Sequence, residues 1–129
     1  MVGKVVIDDK EVRHMFARLL GSKLRPDLVE IMDEAGDLVQ AEMKARAPVR
    51  TGNLRDNLIK EEPEVKADEI ALNVGPNERA WYSRFIELGT SKQAPHPFMR
   101  QAAKAKEAAV NDHVAKGIAA LIDREARKS

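Results

Sequence analysis

The chain has no cysteine. That excludes a disulfide, a thiolate nucleophile and a cysteine-ligated metal, and it suits a reducing compartment. Net charge is also nearly absent: 22 lysines and arginines against 21 aspartates and glutamates leave +1. A dedicated nucleic-acid binder carries a strong overall positive field, so any DNA contact here has to be local. No apolar run approaches the roughly 18 residues of a membrane span. The opening Met1-Val2-Gly3-Lys4-Val5-Val6-Ile7 reaches the Asp8-Asp9 pair before a signal-type stretch forms, which leads us to expect synthesis and use in the cytoplasm, with no membrane partner. Aromatic residues are scarce too, at one Trp, one Tyr and three Phe, and four of the five fall between Trp81 and Phe98.

What is present describes a folded protein. Hydrophobic residues at 43% and charged residues at 33% of a 129-residue chain suffice for a modest core, and single cores of about 100–150 residues are the commonest size, so one domain over 1–129 is expected. Lys4 to Ile7 reads as a strand. Val12, Met15, Phe16, Leu19 and Leu20 then have helical spacing, with Asp8 or Asp9 as a cap and Gly21 as a left-handed stop. The clearest amphipathic helix runs from Pro26 to Arg46, with Leu28, Ile31, Met32, Ala35, Leu38, Val39 and Met43 on one face and Pro48 ending it. Leu58 to Val65, confined to an edge or a bulge by Pro63, and Ile70 to Val74 read as a hairpin turned by Ala67-Asp68-Glu69. Gly75-Pro76-Asn77 breaks the second strand, and a short helix follows across Ala80 to Leu88. From Pro97 to about Arg127 only Gly117 interrupts a long helix whose apolar side is alanine-rich: Ala102, Ala103, Ala105, Ala108, Ala109, Val114, Ile118, Leu121 and Ile122. The sum is an α+β fold, a small antiparallel sheet packed by the amphipathic helix and the long C-terminal helix. The first strand joins that sheet or pairs with a neighbour's.

Two islands carry most of the specific signal. The first is Ala47-Pro48-Val49-Arg50-Thr51-Gly52-Asn53-Leu54-Arg55. Here Gly52 can take a positive φ, and Asn53 can cap a short turn alongside Asp56. Lys44, Arg46, Arg50 and Arg55 put four cations between Met43 and Arg55 with no acid among them, so this elbow is either purely structural or a seat for a phosphate or a partner's carboxylate. The spaced glycines and Lys-Ser/Thr pair of a P-loop are missing. The second island runs from Trp81 to Met99. Its aromatics either fill the core or anchor an interface, and Ser91 to Pro97 reads as an extended, proline-stiffened loop able to reach a neighbour. Gly89-Thr90 ends the short helix, with Gly89 in the left-handed cap position. Glu87 beside these aromatics is tempting as a catalytic acid, but only His96 is offered as a second group. A better role is accepting bonds from Gly89-Thr90 amides or pairing with Arg55 or Arg100. His14, His96 and His113 have no metal-ligand spacing. No catalytic residue, metal or cofactor is assigned.

Taken in order, Arg46-Ala47-Pro48-Val49-Arg50-Thr51-Gly52-Asn53-Leu54-Arg55, then Tyr82, Glu87-Leu88-Gly89-Thr90 and Pro95-His96-Pro97-Phe98-Met99, the islands resemble the tail-completion or head-tail joining family of long-tailed bacteriophages and prophages. The resemblance covers roughly residues 10 to 125 and departs at Leu88, where an aromatic is expected, and at Asp56-Asn57, where basic and hydroxyl residues are commoner. It implies a non-enzymatic virion component at the neck or the head-proximal end of the tail, assembled as a ring and bound to adjoining neck and tail proteins. Pro48, Thr51, Gly52, Asn53, Leu54 and Arg55 would shape one contact motif, and Tyr82, Glu87, Gly89, Thr90, Pro97 and Phe98 the other. Tail completion, tail termination and head closure all agree with it. A ring uses heterologous contacts, and a near-neutral subunit does not repel its copies, while Lys44 to Arg55 could still face DNA in a central channel. Two other classes stand beside it. One is a small nucleic-acid-binding protein using the same basic stretch and the final helix, where residues 100–129 hold seven basic against four acidic groups. The other is a hydrolase centred on Glu87 and His96.

Overall fold

A computed structural model describes residues 3–5, 10–50, 52–65 and 70–128. The Asp8/Asp9 cap, the end of the first strand at Ile7, Thr51 and the Ala67-Asp68-Glu69 turn lie outside the described residues. The described elements are β1 (Gly3–Val5), α1 (Lys10–Leu20), α2 (Arg25–Arg46), α3 (Asn53–Asp56), β2 (Leu58–Lys60), β3 (Glu64–Val65), β4 (Ile70–Pro76), α4 (Ser83–Leu88) and α5 (Phe98–Lys128), with a 3₁₀ turn at Glu78–Ala80. The α+β expectation holds.

Helix α2 is the axis of the fold. Its apolar spacing buries Leu28, Ile31, Met32, Ala35, Val39 and Met43, and Pro26 occupies the first turn, where its missing N–H costs nothing. The helix ends at Ala47, which is extended at φ −62°, ψ 135°, as the residue before a proline must be. One side of α2 lies on the sheet. Gly36 makes that possible, since a Cβ there would stand 2.0 Å from Leu72 Cδ2. The other side packs on α5, which buries Val110, Val114, Ile118 and Leu121. The contacts Asp27–Arg124, Glu34–His113 and Glu42–Lys106 show the two helices running antiparallel. Gly117, expected as a breaker, is instead a notch: a Cβ would meet Ile31 Cδ1 at 2.9 Å.

The sheet is centred on β4, with β1 antiparallel on one side and β2 on the other, so the N-terminal strand pairs within its own chain. Leu58 faces Pro76 and Glu64 faces Ala71. Six steps on one strand against five on the other leave one extra residue around Pro63, the bulge that proline demands.

Three expectations are corrected. Gly21 does not adopt a left-handed conformation, the positive-φ glycines being Gly52 and Gly89. Instead, Ser22 turns the chain after α1, its hydroxyl donating to Leu19 O at 2.6 Å and accepting from Leu24 N at 3.1 Å. Strand β4 also runs through Gly75 to Pro76, because proline's fixed φ suits the last position of a strand. Finally, Ala105, Ala108 and Ala109 are exposed and Ile122 is 43% exposed. Over most of its length α5 meets one helix, so a single row of larger side chains is enough.

Candidate assembly surface

The two islands fold against each other. Gly52 takes φ +86°, a region that side chains with a Cβ rarely enter, and its carbonyl accepts Asp56 N–H at 2.9 Å to open α3. Gly52 is thus the cap position, which corrects the cap expected of Asn53. Freed from that role, Asn53 reaches across: its Nδ2 donates to Tyr82 Oη at 2.8 Å and to Arg79 O at 3.0 Å. Asn57 Nδ2 donates to Asn53 O at 2.8 Å, and Asn77 Nδ2 to Asn57 Oδ1 at 3.0 Å. Asn77 Oδ1 in turn accepts Arg79 N–H at 2.9 Å, capping the 3₁₀ turn. Three asparagines thereby stitch island to island. Asn57 figured in the sequence only as a departure from a family pattern, and Asn77 only as a strand breaker. Neither signals a partner 20 residues away.

Glu87 is 3% exposed, and its oxygens accept Met99 N–H at 3.1 Å and Arg100 N–H at 3.0 Å. Backbone amides are the right class of partner, but they belong to the first turn of α5 rather than to Gly89-Thr90, and neither Arg55 nor Arg100 supplies a guanidinium. The carboxylate sits where the helix dipole favours negative charge. With both oxygens engaged there, no Glu87–His96 pair forms. His96 instead lies 3.4 Å from Arg46 O through Nε2 and donates its backbone N–H to Ile86 O at 2.8 Å. Gly89 ends α4 with the positive φ expected of it, 78°, but its ψ of 173° is extended rather than that of a left-handed cap. This is a glycine-only region, and a Cβ there would stand 2.8 Å from Pro95 N. The loop after it is exposed but not extended: Thr90 N–H donates to Gln93 O at 2.9 Å and closes a turn back on α4. Pro97 O accepts Gln101 N–H at 2.9 Å, opening α5.

The aromatics divide. Phe98 is fully buried and Tyr82 half-buried, whereas Trp81, Phe85 and Leu88 are 68%, 41% and 62% exposed. Spaced at i, i+4 and i+7, these three form one ridge. The Trp81 and Phe85 rings meet edge-on at 6.1 Å, and Arg84 lies 5.2 Å over Phe85. The unexpected aliphatic at Leu88 thus stands on the surface.

Beside the ridge opens a cleft of about 860 Å³ lined by Arg46, Pro48, Arg50, Gly52 and Leu54 from the first island and Tyr82, Ile86, Gln93 and His96 from the second. No acid lines it. Of the four cations singled out, Arg46 is held by Glu42 at 2.8 Å and Arg55 by Asp56 at 3.5 Å. Lys44 and Arg50 make no ion pair among the described residues, and Lys44 stands outside the cleft. On α5, Lys106, Lys116, Arg124, Arg127 and Lys128 all face acids, which leaves Arg100 and Lys104 without one among the described residues. Also among the described residues, no helix is long and apolar enough to cross a membrane.

Searches of curated proteins and of solved structures return no match. A family model described as "Bacteriophage HK97-gp10, putative tail-component" matches residues 15–89, which is 75 of the 129 residues. The match takes in the first island whole, with Tyr82, Glu87 and Gly89, and stops short of Pro97 and Phe98. The shared segment is therefore the part that forms the elbow, strands β2 to β4 and the ridge, and the chain belongs to the HK97-gp10-like family of bacteriophage tail components.

Proposed function

We propose that this tail component is a non-enzymatic structural protein acting at the head–tail junction or the head-proximal end of the tail, where copies form a ring and bind adjoining neck and tail proteins. One observation carries the reading: both sequence islands converge on a single exposed surface, an apolar ridge at Trp81, Phe85 and Leu88 beside the cleft. Large apolar side chains clustered at this exposure mark protein contacts, and tryptophan and arginine lead among residues that dominate binding energy. The whole elbow serves to hold this surface rigid. Host cytoplasm is the site of assembly and the virion the final location.

The nucleic-acid reading loses support from the ion pairs. Most cations of α5 and two of the four near the elbow already face carboxylates, which leaves the half-buried Lys44 and the exposed Arg100 and Lys104 as candidates for DNA in a central channel. Arg50 faces a cleft with apolar walls, a better seat for a carboxylate than for a duplex.

The test is deletion of the gene in its phage or prophage, with particles counted by electron microscopy. Unjoined heads and tails, or aberrant tails, are expected, and the wild-type gene restores normal particles. Normal particle yield after deletion would overturn the proposal.

A further inference from the structure

The protein is nearly neutral, yet its charge is unevenly placed. At the island end the cleft presents Arg50, with Arg46, held by Glu42, and His96 beside it, and no acid lines it among the described residues. At the far end of the sheet, Glu61, Glu62 and Glu64 are all exposed around Pro63. None of the three makes an ion pair among the described residues, and of their side chains only that of Glu61 accepts a hydrogen bond there, from Asn73 Nδ2 at 3.5 Å. The segment is a presented edge: the bulge at Pro63 interrupts the pairing with β4 and holds the chain in an extended shape.

The two features lie at opposite ends of β4. Pro76 pairs with Leu58 beside the asparagine stitch, whereas Ala71 pairs with Glu64, and the five steps between them span about 17 Å at roughly 3.3 Å per residue. One subunit therefore offers a cationic recess at one end and an acidic, proline-stiffened projection at the other. Two different and complementary surfaces are what a head-to-tail contact requires, and such contacts close into rings or extend as filaments. Volume agrees: about 860 Å³ holds several residues of extended chain.

We propose that the cleft receives the Glu61–Glu64 segment of a second copy of this chain, with Arg50 and its neighbours on the glutamates and Pro63 against the apolar wall of Pro48, Leu54 and Ile86. This rests on the ring reading above and names its contact. Arg50 is the natural anchor, being the cleft arginine with no ion pair among the described residues, and a guanidinium binds a carboxylate through two parallel bonds.

Charge exchange tests it, because every position used is exposed and circular dichroism confirms folding of each variant. Light scattering at low salt is run on wild type, on Arg50→Glu and on Glu62→Lys/Glu64→Lys. Wild type should associate in a concentration-dependent way. Each variant alone should associate at least tenfold more weakly, since the exchanged charge then meets a like charge at the contact. An equimolar mixture of the two should regain assembly, because each variant's cleft now complements the other's segment. Wild-type assembly that neither variant weakens would overturn this contact while leaving the ring reading in place. A strict monomer at every concentration would overturn the second copy as occupant and point to an acidic segment of another protein, and the deletion phenotype would then judge the virion role separately.

Discussion

The α2–α5 pair and the island end are held together by different forces. Along the helix pair, Leu28, Ile31, Met32, Val114, Ile118 and Leu121 bury apolar surface, and Gly117 lets the two helices approach. At the island end, directed bonds dominate: Asn53 to Tyr82, Asn77 to Asn57, Glu87 to two amides of α5. Apolar burial is non-directional and would draw Trp81, Phe85 and Leu88 inward if it governed this region. Hydrogen bonds fix the backbone without consuming apolar side chains, so the ridge stays on the surface. The polar construction thus explains how an aromatic-poor protein can leave its only tryptophan exposed.

Breaking the shared point of the two regions should cost most. Phe98 is fully buried where α5 leaves the second island, and Phe98→Ala should destabilise by about 3–5 kcal/mol, read by chemical denaturation. Glu87→Ala should cost about 2–3 kcal/mol by leaving one buried and one part-buried amide unpaired, and hydrogen exchange should quicken at Met99 and Arg100 while the middle of α5 stays protected. Asn53→Ala should cost about 1–2 kcal/mol, loosening the elbow without affecting the helix pair.

These differences also explain what could be read in advance. The helix pair was legible because periodicity reports burial: Leu28 to Met43 announces its face, and Pro48 its end. The island end was legible only as motif. Gly52 and Gly89 declared positive φ, but the partners of Glu87 and the stitch through Asn57 and Asn77 depend on strands bringing distant residues together, which no local spacing encodes. The alanine-rich side of α5 misled for a related reason, since alanine favours helix whether or not anything packs against it.

The smallest effect lies at the seam between sheet and helix. Lys60 on β2 pairs with Asp33 at 3.1 Å and with Asp37. Burial of the ammonium opposes its charge, but bonds to Asp37 and then Asp33 outweigh this and hold its pKa above the ordinary 10.5. A raised pKa on a base means stability fully present below 10.5 and lost as pH climbs through the folded value. Because both aspartates are largely solvated, the contribution should be about 0.5–1 kcal/mol. The melting difference between wild type and Lys60→Met should be constant near neutrality and shrink above pH ~10.5.

The most direct test of the central claim, that the ridge exists for assembly and the polar stitch for its support, is one variant read two ways. Trp81→Ser/Phe85→Ser should keep its denaturation free energy within about 0.5 kcal/mol of wild type while losing both self-association by light scattering and the ability to restore particles to a deletion strain. A loss of about 2 kcal/mol or more with assembly intact would contradict the account, because it would make the ridge part of the core.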